Sequence, residues 1–460
     1  MNSIAKSEKT HKKTAIKTIK VAFTGENYTP FGGLSLFNKF LRKLGVEKLL
    51  DGVHSSGDQS KEPQSLPSVK EGGYSVGRKI LSVVNGLVLG LERPSDTKIL
   101  QKDKVAQTLM EYEGYPAQST LSRFLKSFIV KGACAIGRKN LQLLLRMRNN
   151  FHGWPKLTLD LDSEVKTVYG QQQRAKVGYN PKKPGRKSYH PLFCFIGETR
   201  DFLLGQLRAG NKYTGAGAID FLTECLRAIP PHILQIYLRA DSGFYAFDFL
   251  HFLEMRGILY AIAVKLYPTI QAKLVNLSYR DIGGGVAVAE YEDNQSQGPK
   301  KLRCRMVVIR EKVKEGQKKK KQPKLFELQG YSYQVITTNI WQGAPEKIWR
   351  FYNGRANIEN MIKEGAQNFG LEVSPSHQYA GNMAYLQIGM LAYNLVNWFK
   401  EKALNQTEHK KMLKWIRHHF FIIAGKLVSS GGSIFLKLSA SYPYQKEYRQ
   451  AEARMEALQI

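Results

Sequence analysis

Acidic residues are in short supply. The chain of 460 residues has 38 Asp and Glu against 69 Lys and Arg, a formal net charge of +31 at pH 7. Such a surplus attracts polyanions, either nucleic acid or an acidic membrane surface. Long apolar runs are lacking as well. The longest, Ile80 to Leu91 and Ile388 to Phe399, span 12 residues, short of the roughly 20 that a membrane-spanning helix needs. The Lys-rich N-terminus has no apolar stretch behind it, so it does not read as a secretory signal. Only four cysteines occur, Cys134, Cys194, Cys225 and Cys304, far apart and without a CxxC pair. That argues against a disulfide framework or a cysteine-based zinc site, and for reduced, buried thiols in a cytoplasmic protein. HExxH is absent. Gly72 to Lys79 (GGYSVGRK) comes near a phosphate-binding loop, but Arg78 stands in the lysine's place and no strand precedes it, so a nucleotide site is rejected.

What is present is an ordinary globular composition, 43% hydrophobic and 23% charged, in a chain long enough for two to four domains. No internal repeat is apparent. Residues 1 to 20 form a basic tail that reads equally as solvated disorder and as a contact with DNA phosphates, and Asp51 to Gly73 reads as a linker. Val76 to Leu91 is apolar enough for a buried helix. Pro116 to Phe128 predicts an amphipathic helix capped by Ser119 or Thr120, with Leu121, Phe124, Leu125 and Phe128 inward and Arg123 and Lys126 outward. Such a unit could press on DNA, or simply be a surface helix.

Near Trp154 the pattern changes. Leu157 to Ser163 (LTLDLDS) alternates, with leucines on one face and Asp160 and Asp162 on the other, which predicts a strand. Val165 to Gly170 and Pro191 to Gly197 read as the next two strands. A helix (Ala216 to Ala228), a strand (Ile233 to Asp241), a helix (Phe244 to Met255) and a strand (Leu259 to Val264) follow. Three strands, helix, strand, helix, strand is the ribonuclease H-like order. Residues 266 to 342 break it with strand-like pieces (Val286 to Glu290, Leu302 to Arg310, Tyr331 to Thr337) between Gly- and Lys-rich loops, one of them Lys318 to Lys321. Helices return with Glu346 to Glu364 and Met383 to Glu401. The expected organisation is α/β: a helical N-terminal DNA-binding region (1–150), a ribonuclease H-like catalytic core (151–265 and 343–405) interrupted by a β-rich insertion (266–342), and a basic helical C-terminal region (406–460).

Strand cleavage of nucleic acid commonly uses two metal ions that clamp the attacking and leaving oxygens, and hard cations such as Mg²⁺ favour carboxylate oxygens. Asp162 late in the first strand, Asp241 at the end of the fourth and Glu359 on a later helix occupy slots from which three carboxylates can converge. Each alone has a plainer reading, as a turn residue or a solvated helical glutamate. Tyr352, Arg355 and Glu359 fall at i, i+3 and i+7 of one predicted helix, with Lys363 a turn further on. That face reads either as a phosphate-handling surface or as a ladder of helical ion pairs.

At these residues the chain resembles a bacterial insertion-sequence DDE transposase, of the group-1 type with a Tyr-Arg-Glu-Lys signature. The likeness is carried by LDLDSE (Leu159 to Glu164), GYN (Gly178 to Asn180), YHPL (Tyr189 to Leu192), LRAGN (Leu207 to Asn211), LRADSGFY (Leu238 to Tyr245) and YNGRANIENMIKE (Tyr352 to Glu364). PAQSTLSRF (Pro116 to Phe124), AYNLVNWF (Ala392 to Phe399) and IAGKLVSSGG (Ile423 to Gly432) add to it. The resemblance implies that Asp162, Asp241 and Glu359 are catalytic and hold two Mg²⁺ or Mn²⁺ ions, with Asp160 an alternative first ligand. It implies DNA contacts by Arg123, Lys126, Tyr352, Arg355 and Lys363. Ala366 stands where the signature lysine is expected, with Lys363 the substitute, and Glu164 replaces a common Thr. It further implies cut-and-paste chemistry on transposon-end and target duplex DNA, a homodimer in the DNA complex, and a bacterial cytoplasmic protein associated with the nucleoid when bound. In some relatives a DNA hairpin forms at the transposon end, and Trp341 would then either stack on a strained end or pack the insertion on the core. A non-catalytic, domesticated DNA-binding protein and a nuclease without strand transfer are the competing readings. His418-His419 reads as DNA-facing or structural. The charge surplus is expected along a track formed by the N-terminal region, Lys318 to Lys321 and the helices around Lys410 to Arg417.

Overall fold

Strand β1 (Tyr28–Thr29) is followed by seven helices, α1 (Leu34–Lys43), α2 (Val46–Asp51), α3 (Val76–Val88), α4 (Lys98–Lys102), α5 (Lys104–Leu109), α6 (Gln118–Lys126) and α7 (Val130–Met147). Next come strands β2 (Lys156–Ser163), β3 (Lys166–Thr167), β4 (Lys176–Val177), β5 (Lys187–Tyr189), β6 (Leu192–Ile196) and β7 (Phe202–Gln206). Then α8 (Ala218–Arg227), β8 (Gln235–Ala240), α9 (Phe247–Met255) and β9 (Leu259–Ala263) alternate. After α10 (Pro268–Val275) run β10 (Arg280–Gly283), β11 (Val286–Gln297), β12 (Lys300–Lys312), β13 (Phe326–Leu328) and β14 (Tyr331–Thr338). The chain closes with α11 (Pro345–Asn353), α12 (Ala356–Asn368), α13 (Tyr379–Ala403), α14 (Leu413–Ile416), β15 (Gly425–Ser430), β16 (Ser433–Leu438) and α15 (Gln445–Ala457). This computed structural model describes residues 21, 23, 27–53, 73–313, 326–328 and 330–459. The basic N-terminal tail, most of the expected linker and Lys318 to Lys321 lie outside the described residues.

The centre is a mixed sheet of order β10-β11-β12-β14-β9-β8-β2-β6-β7, with β13 also on β14. Strands β2, β8 and β9 are parallel, while β6, β7 and β14 join antiparallel. The sequence reading located most of these strands but mistook one. Val165 to Gly170 yields only the two residues of β3, which belong to a separate three-stranded sheet, β3-β5-β4. The third strand of the main sheet is β7, a five-residue segment interrupted by Gly205, too short to show a clear period. The β-rich stretch joins the main sheet: β14 pairs with β9 and with β12, so the long β11–β12 hairpin extends it.

Strand β2 also departs from the half-exposed strand that its alternation predicts. All residues from Leu157 to Asp162 are buried, the aspartates included. Buried carboxylates must be paired or neutralised, and both answers occur here, as described below.

The helical layer is organised by α13, which is apolar almost all round and buried along most of its length, the pattern of a core helix. Helix α7 lies along it, and Phe37 of α1, Phe399 of α13 and Phe421 form a ring cluster with centroids 5.5–5.6 Å apart. Burying one such side chain contributes about 1.5–3 kcal/mol. An ion-pair knot ties this layer to the sheet. Arg148 donates to Asp201 at 2.7 Å, and Asp201 also accepts from Asn397 and Trp398. In α3, Ser75 caps the helix by accepting from the Arg78 N–H. The cap expected at Ser119 or Thr120 is absent: α6 starts at Gln118 with Ala117 at the cap position. The inward Leu121, Phe124, Leu125 and Phe128 are buried as expected.

Residues 406–460 are not simply helical. They hold the β15–β16 hairpin, whose inner strand pairs with β1 from the other end of the chain. Ser35 and Tyr448 join α1 to α15 at 3.1 Å, so the N- and C-terminal regions share one packed layer. His419 stacks on Trp415 at 3.8 Å, a structural position. Cys194, Cys225 and Cys304 are buried and all four cysteines are free. Among the described residues, no helix is long and apolar enough to cross a membrane.

Candidate active site

The parallel register of β2 and β8 sets Asp160 beside Arg239 and Leu161 beside Ala240. The next residues, Asp162 and Asp241, therefore reach the C-terminal ends of adjacent parallel strands, the usual place for ligands on such sheets. Asp241 caps the short turn Ser242–Phe244, its Oδ1 accepting from the Gly243 N–H at 2.9 Å. Asp162 is 7% exposed. Its Oδ1 accepts from the Ser163 N–H at 2.8 Å, and its Oδ2 accepts from Arg355 Nη2 at 2.9 Å. Burial pushes the Asp162 carboxyl up to about 7, opposed by the charge of Arg355 and reinforced by that of Asp241.

Asp160 is in a different state. Arg239 grips both of its oxygens at 2.6 Å, through Nε and Nη2, and uses Nη1 on the Phe351 carbonyl at 2.9 Å. This pair is closed and structural, with both Asp160 oxygens engaged by one guanidinium. Gly354 makes room for it, since a Cβ there would lie 2.0 Å from Arg239 Nη1.

The same glycine marks a break that the sequence does not announce. The single helix expected over Glu346 to Glu364 is two helices, α11 and α12, separated at Gly354–Arg355. Tyr352 thus ends one helix and Glu359 sits in the first turn of the other, with Arg355 at its cap position. Tyr352 and Arg355 are buried rather than lying on an open phosphate-gripping face. Arg355 Nη1 reaches Glu359 at 3.4 Å, and its Nε has no partner. Burial works against the Arg355 charge, but Asp162, Tyr352, Asp241 and Glu359 outweigh it and hold the guanidinium protonated. Burial likewise raises the Tyr352 hydroxyl.

Asp162 and Glu359 therefore meet on one guanidinium, with Asp241 near enough for its charge to act on both Asp162 and Arg355. Asp162 and Asp241 stand together, while Glu359, with its side chain 69% exposed, joins through Arg355. Among the described residues, no three Asp, Glu, His or Cys side chains are gathered closely enough to form a ready metal cage. The donor set itself, all carboxylate oxygen, fits a hard divalent cation. Lys363 is exposed and Ala366 buried. Arg123 and Lys126 are exposed on α6, which packs on α3 and α13 and not on this group. Trp341 is 43% exposed, with the guanidinium of Arg303 on β12 lying 4.4 Å over its ring.

Sequence reasoning gave no role to a supporting layer beneath the aspartates. His190 Nδ1 faces the Lys212 carbonyl at 2.7 Å. A carbonyl only accepts, so Nδ1 carries the hydrogen and Nε2 accepts from the Ser163 hydroxyl at 3.0 Å. Burial lowers the His190 pKa, in keeping with a neutral ring. Arg208 donates Nε to the His190 carbonyl at 2.8 Å and Nη1 to the Thr214 carbonyl at 3.1 Å. The YHPL and LRAGN motifs contain His190 and Arg208, and were the available signal.

The family profile described as "Transposase DDE domain group 1" matches residues 11–460. This chain belongs to that family. No curated protein matches it in sequence. Among solved structures, it is similar to the piggyBac transposase synaptic complex with hairpin DNA, at 13% identity and a TM-score of 0.46, over 86% of this chain and 82% of that one. It also matches the Mos1 transposase paired-end complex with left transposon end, at 12% identity and a TM-score of 0.16, over 37% of this chain and 57% of that one. Neither likeness is close enough to assign an arrangement of residues. Membership of the DDE transposase family rests on the match along nearly the whole chain.

Proposed function

We propose that this transposase is a cut-and-paste enzyme of a bacterial insertion sequence, acting on nucleoid DNA in the cytoplasm. The observation that carries the reading is the placement of Asp162 and Asp241 at the ends of neighbouring parallel strands, with Glu359 joined to them through Arg355. The strand order β7-β6-β2-β8-β9, in which β7, β8 and β9 run parallel to β2 and only β6 runs antiparallel, supports a ribonuclease H-like core. The run from α10 to β14 is then the insertion, and the helices before β2 the end-binding region.

In this reading Asp162, Asp241 and Glu359 hold two Mg²⁺ or Mn²⁺ ions. Bound there, such ions lower the pKa of an attacking water or 3′-hydroxyl and neutralise charge on the phosphate. The chain's own groups do the rest. Asp162, with Asp160 engaged elsewhere, presents its carboxylate at the strand end. Arg355 supplies positive charge to the carboxylates and, on DNA entry, to a phosphate oxygen, a role suited to its fork of donors. His190 and Ser163 hold the backbone after Asp162. Arg123, Lys126 and Lys363 are exposed cations that would contact phosphates, while the carbonyl of the buried Tyr352 accepts from the Arg355 N–H. A homodimer would bring two ends together.

The test is cleavage of the DNA that flanks the coding sequence. The reading requires divalent-metal-dependent nicking at matched inverted repeats, followed by joining of the freed 3′ end to a target duplex. Nicking without joining would reduce the protein to a nuclease, and binding without either would make it a non-catalytic binder.

A further inference from the structure

Residues 165–190 hold seven Lys and Arg and no Asp or Glu. They begin three residues beyond Asp162 and fold into the small β3-β5-β4 sheet. Arg174, Lys176, Lys183, Arg186 and Lys187 are exposed, and two tyrosines stand out among them, Tyr169 at 73% and Tyr179 at 76% exposure. Like charges gathered this way repel one another and weaken the fold, so the surface is suited to meeting an anion. Exposed aromatics interleaved with cations narrow that anion to one with flat rings between its charges.

The surface is built into the edge of the candidate active site. Gly178 abuts the next loop so closely that a Cβ on it would lie 2.0 Å from the Gly210 carbonyl oxygen. That loop carries Tyr213, 70% exposed, and is fixed from below by Arg208 and His190. Its Thr214 lies 3.3 Å from the Ser163 hydroxyl, and a Cβ on Gly243 would meet the Thr214 Cβ at 2.6 Å. The residues that follow both aspartates therefore touch the loop that adjoins the basic sheet.

We propose that residues 169–187 together with 211–213 form a track for a DNA strand with unpaired bases. The cations hold its phosphates, Tyr169, Tyr179 and Tyr213 stack on its bases, and the track delivers the strand to Asp162 and Asp241. This rests on the transposase reading for its purpose, but its binding can be tested separately.

The experiment uses the full chain and two fluorescent probes, an oligo-thymidine of about 15 nucleotides and a duplex of the same length. Replacing Lys183, Arg186 and Lys187 with Gln should make the log–log salt slope for the single strand shallower by about 2, at roughly 0.7 per lost contact. Tyr179→Ala with Tyr213→Ala should weaken the single strand about tenfold, leave the salt slope unchanged, and affect the duplex less. Wild-type affinity and slope in both folded variants, checked by circular dichroism, would overturn the track. So would equal losses on single strand and duplex in the tyrosine variant, or a preference for anionic lipid vesicles over oligo-thymidine. End cleavage by the wild type separates the two ideas. Cleavage with unaltered oligo-thymidine binding in the variants removes the track alone. Altered binding in the variants with no cleavage by the wild type keeps the track and removes the enzyme.

Discussion

Asp160 and Asp162 lie two residues apart on the same face of one strand, both buried and each facing an arginine, yet they are held in opposite ways. Arg239 spends two donors on Asp160 at 2.6 Å and a third on a carbonyl. Arg355 gives Asp162 a single bond at 2.9 Å, reaches Glu359 at 3.4 Å and leaves its Nε without a partner. The first pair is saturated and the second is under-used. A saturated buried pair fixes structure, whereas a loosely shared charge beside two more carboxylates can be displaced by a ligand. The contrast separates fold from chemistry at a distance of two residues.

The largest effect should come from breaking the loose group. Asp241→Asn is expected to reduce end cleavage about a thousandfold or more, the loss of several kcal/mol of transition-state stabilisation, while end binding stays close to wild type because Lys and Arg contacts dominate affinity. A cleavage time course beside a gel-shift titration measures both. Equal losses in the two would make Asp241 a structural residue. Next in size is the closed pair. Arg239→Met leaves Asp160 buried and unpaired, which should cost about 3–5 kcal/mol of stability, read by urea denaturation. Arg355→Gln should behave otherwise, with a smaller loss of stability than Arg239→Met and cleavage reduced about a hundredfold, a proportion typical of a lost charged contact in the transition state.

The smallest effect concerns Lys166, on β3 beyond Asp162, fully buried with no partner for its Nζ. Burial lowers its pKa to about 7, with Glu372 pulling the other way. An unfolded lysine keeps its proton up to about 10.4, so between about 7 and 10 the unfolded chain binds the extra proton and stability rises with pH. Lys166→Met should flatten that rise and stabilise the protein at pH 7 by roughly 1–4 kcal/mol. Denaturation curves at pH 7 and pH 9 test the sign.

Much of the contrast could be read from the sequence, and the unread part has physical causes. The alternation of LTLDLDS located β2 and put both aspartates on one face. The strand order brought Asp162 and Asp241 to the same end, and the spacing after Tyr352 picked out Arg355 and Glu359. What stayed hidden depends on partners distant in sequence. Asp160 and Asp162 look alike until Arg239 and Arg355 arrive from β8 and the α11–α12 junction. The break at Gly354 rests on a single glycine with no proline beside it, which a continuous helix also tolerates, and the close approach of the Arg239 side chain to it needed the structure. Strand β7 is too short for a period, and β1 meets β15 across nearly the whole chain. The basic surface after Asp162 was visible as composition, but its nearness to the aspartates needed the contact between Gly178 and Gly210.

The central claim is that Asp162 serves chemistry and Asp160 serves the fold. Asp162→Asn and Asp160→Asn, measured side by side for urea stability and for end cleavage, test it directly. The account predicts that Asp162→Asn stays within about 1 kcal/mol of wild-type stability, since Arg355 makes only one bond to Asp162 and keeps the charges of Asp241 and Glu359, and loses cleavage and any stabilisation by added Mn²⁺. It predicts that Asp160→Asn loses roughly 3–5 kcal/mol but still cleaves at temperatures where it is folded. The reverse result, with Asp160→Asn stable and inactive and Asp162→Asn unstable but active while folded, would contradict it.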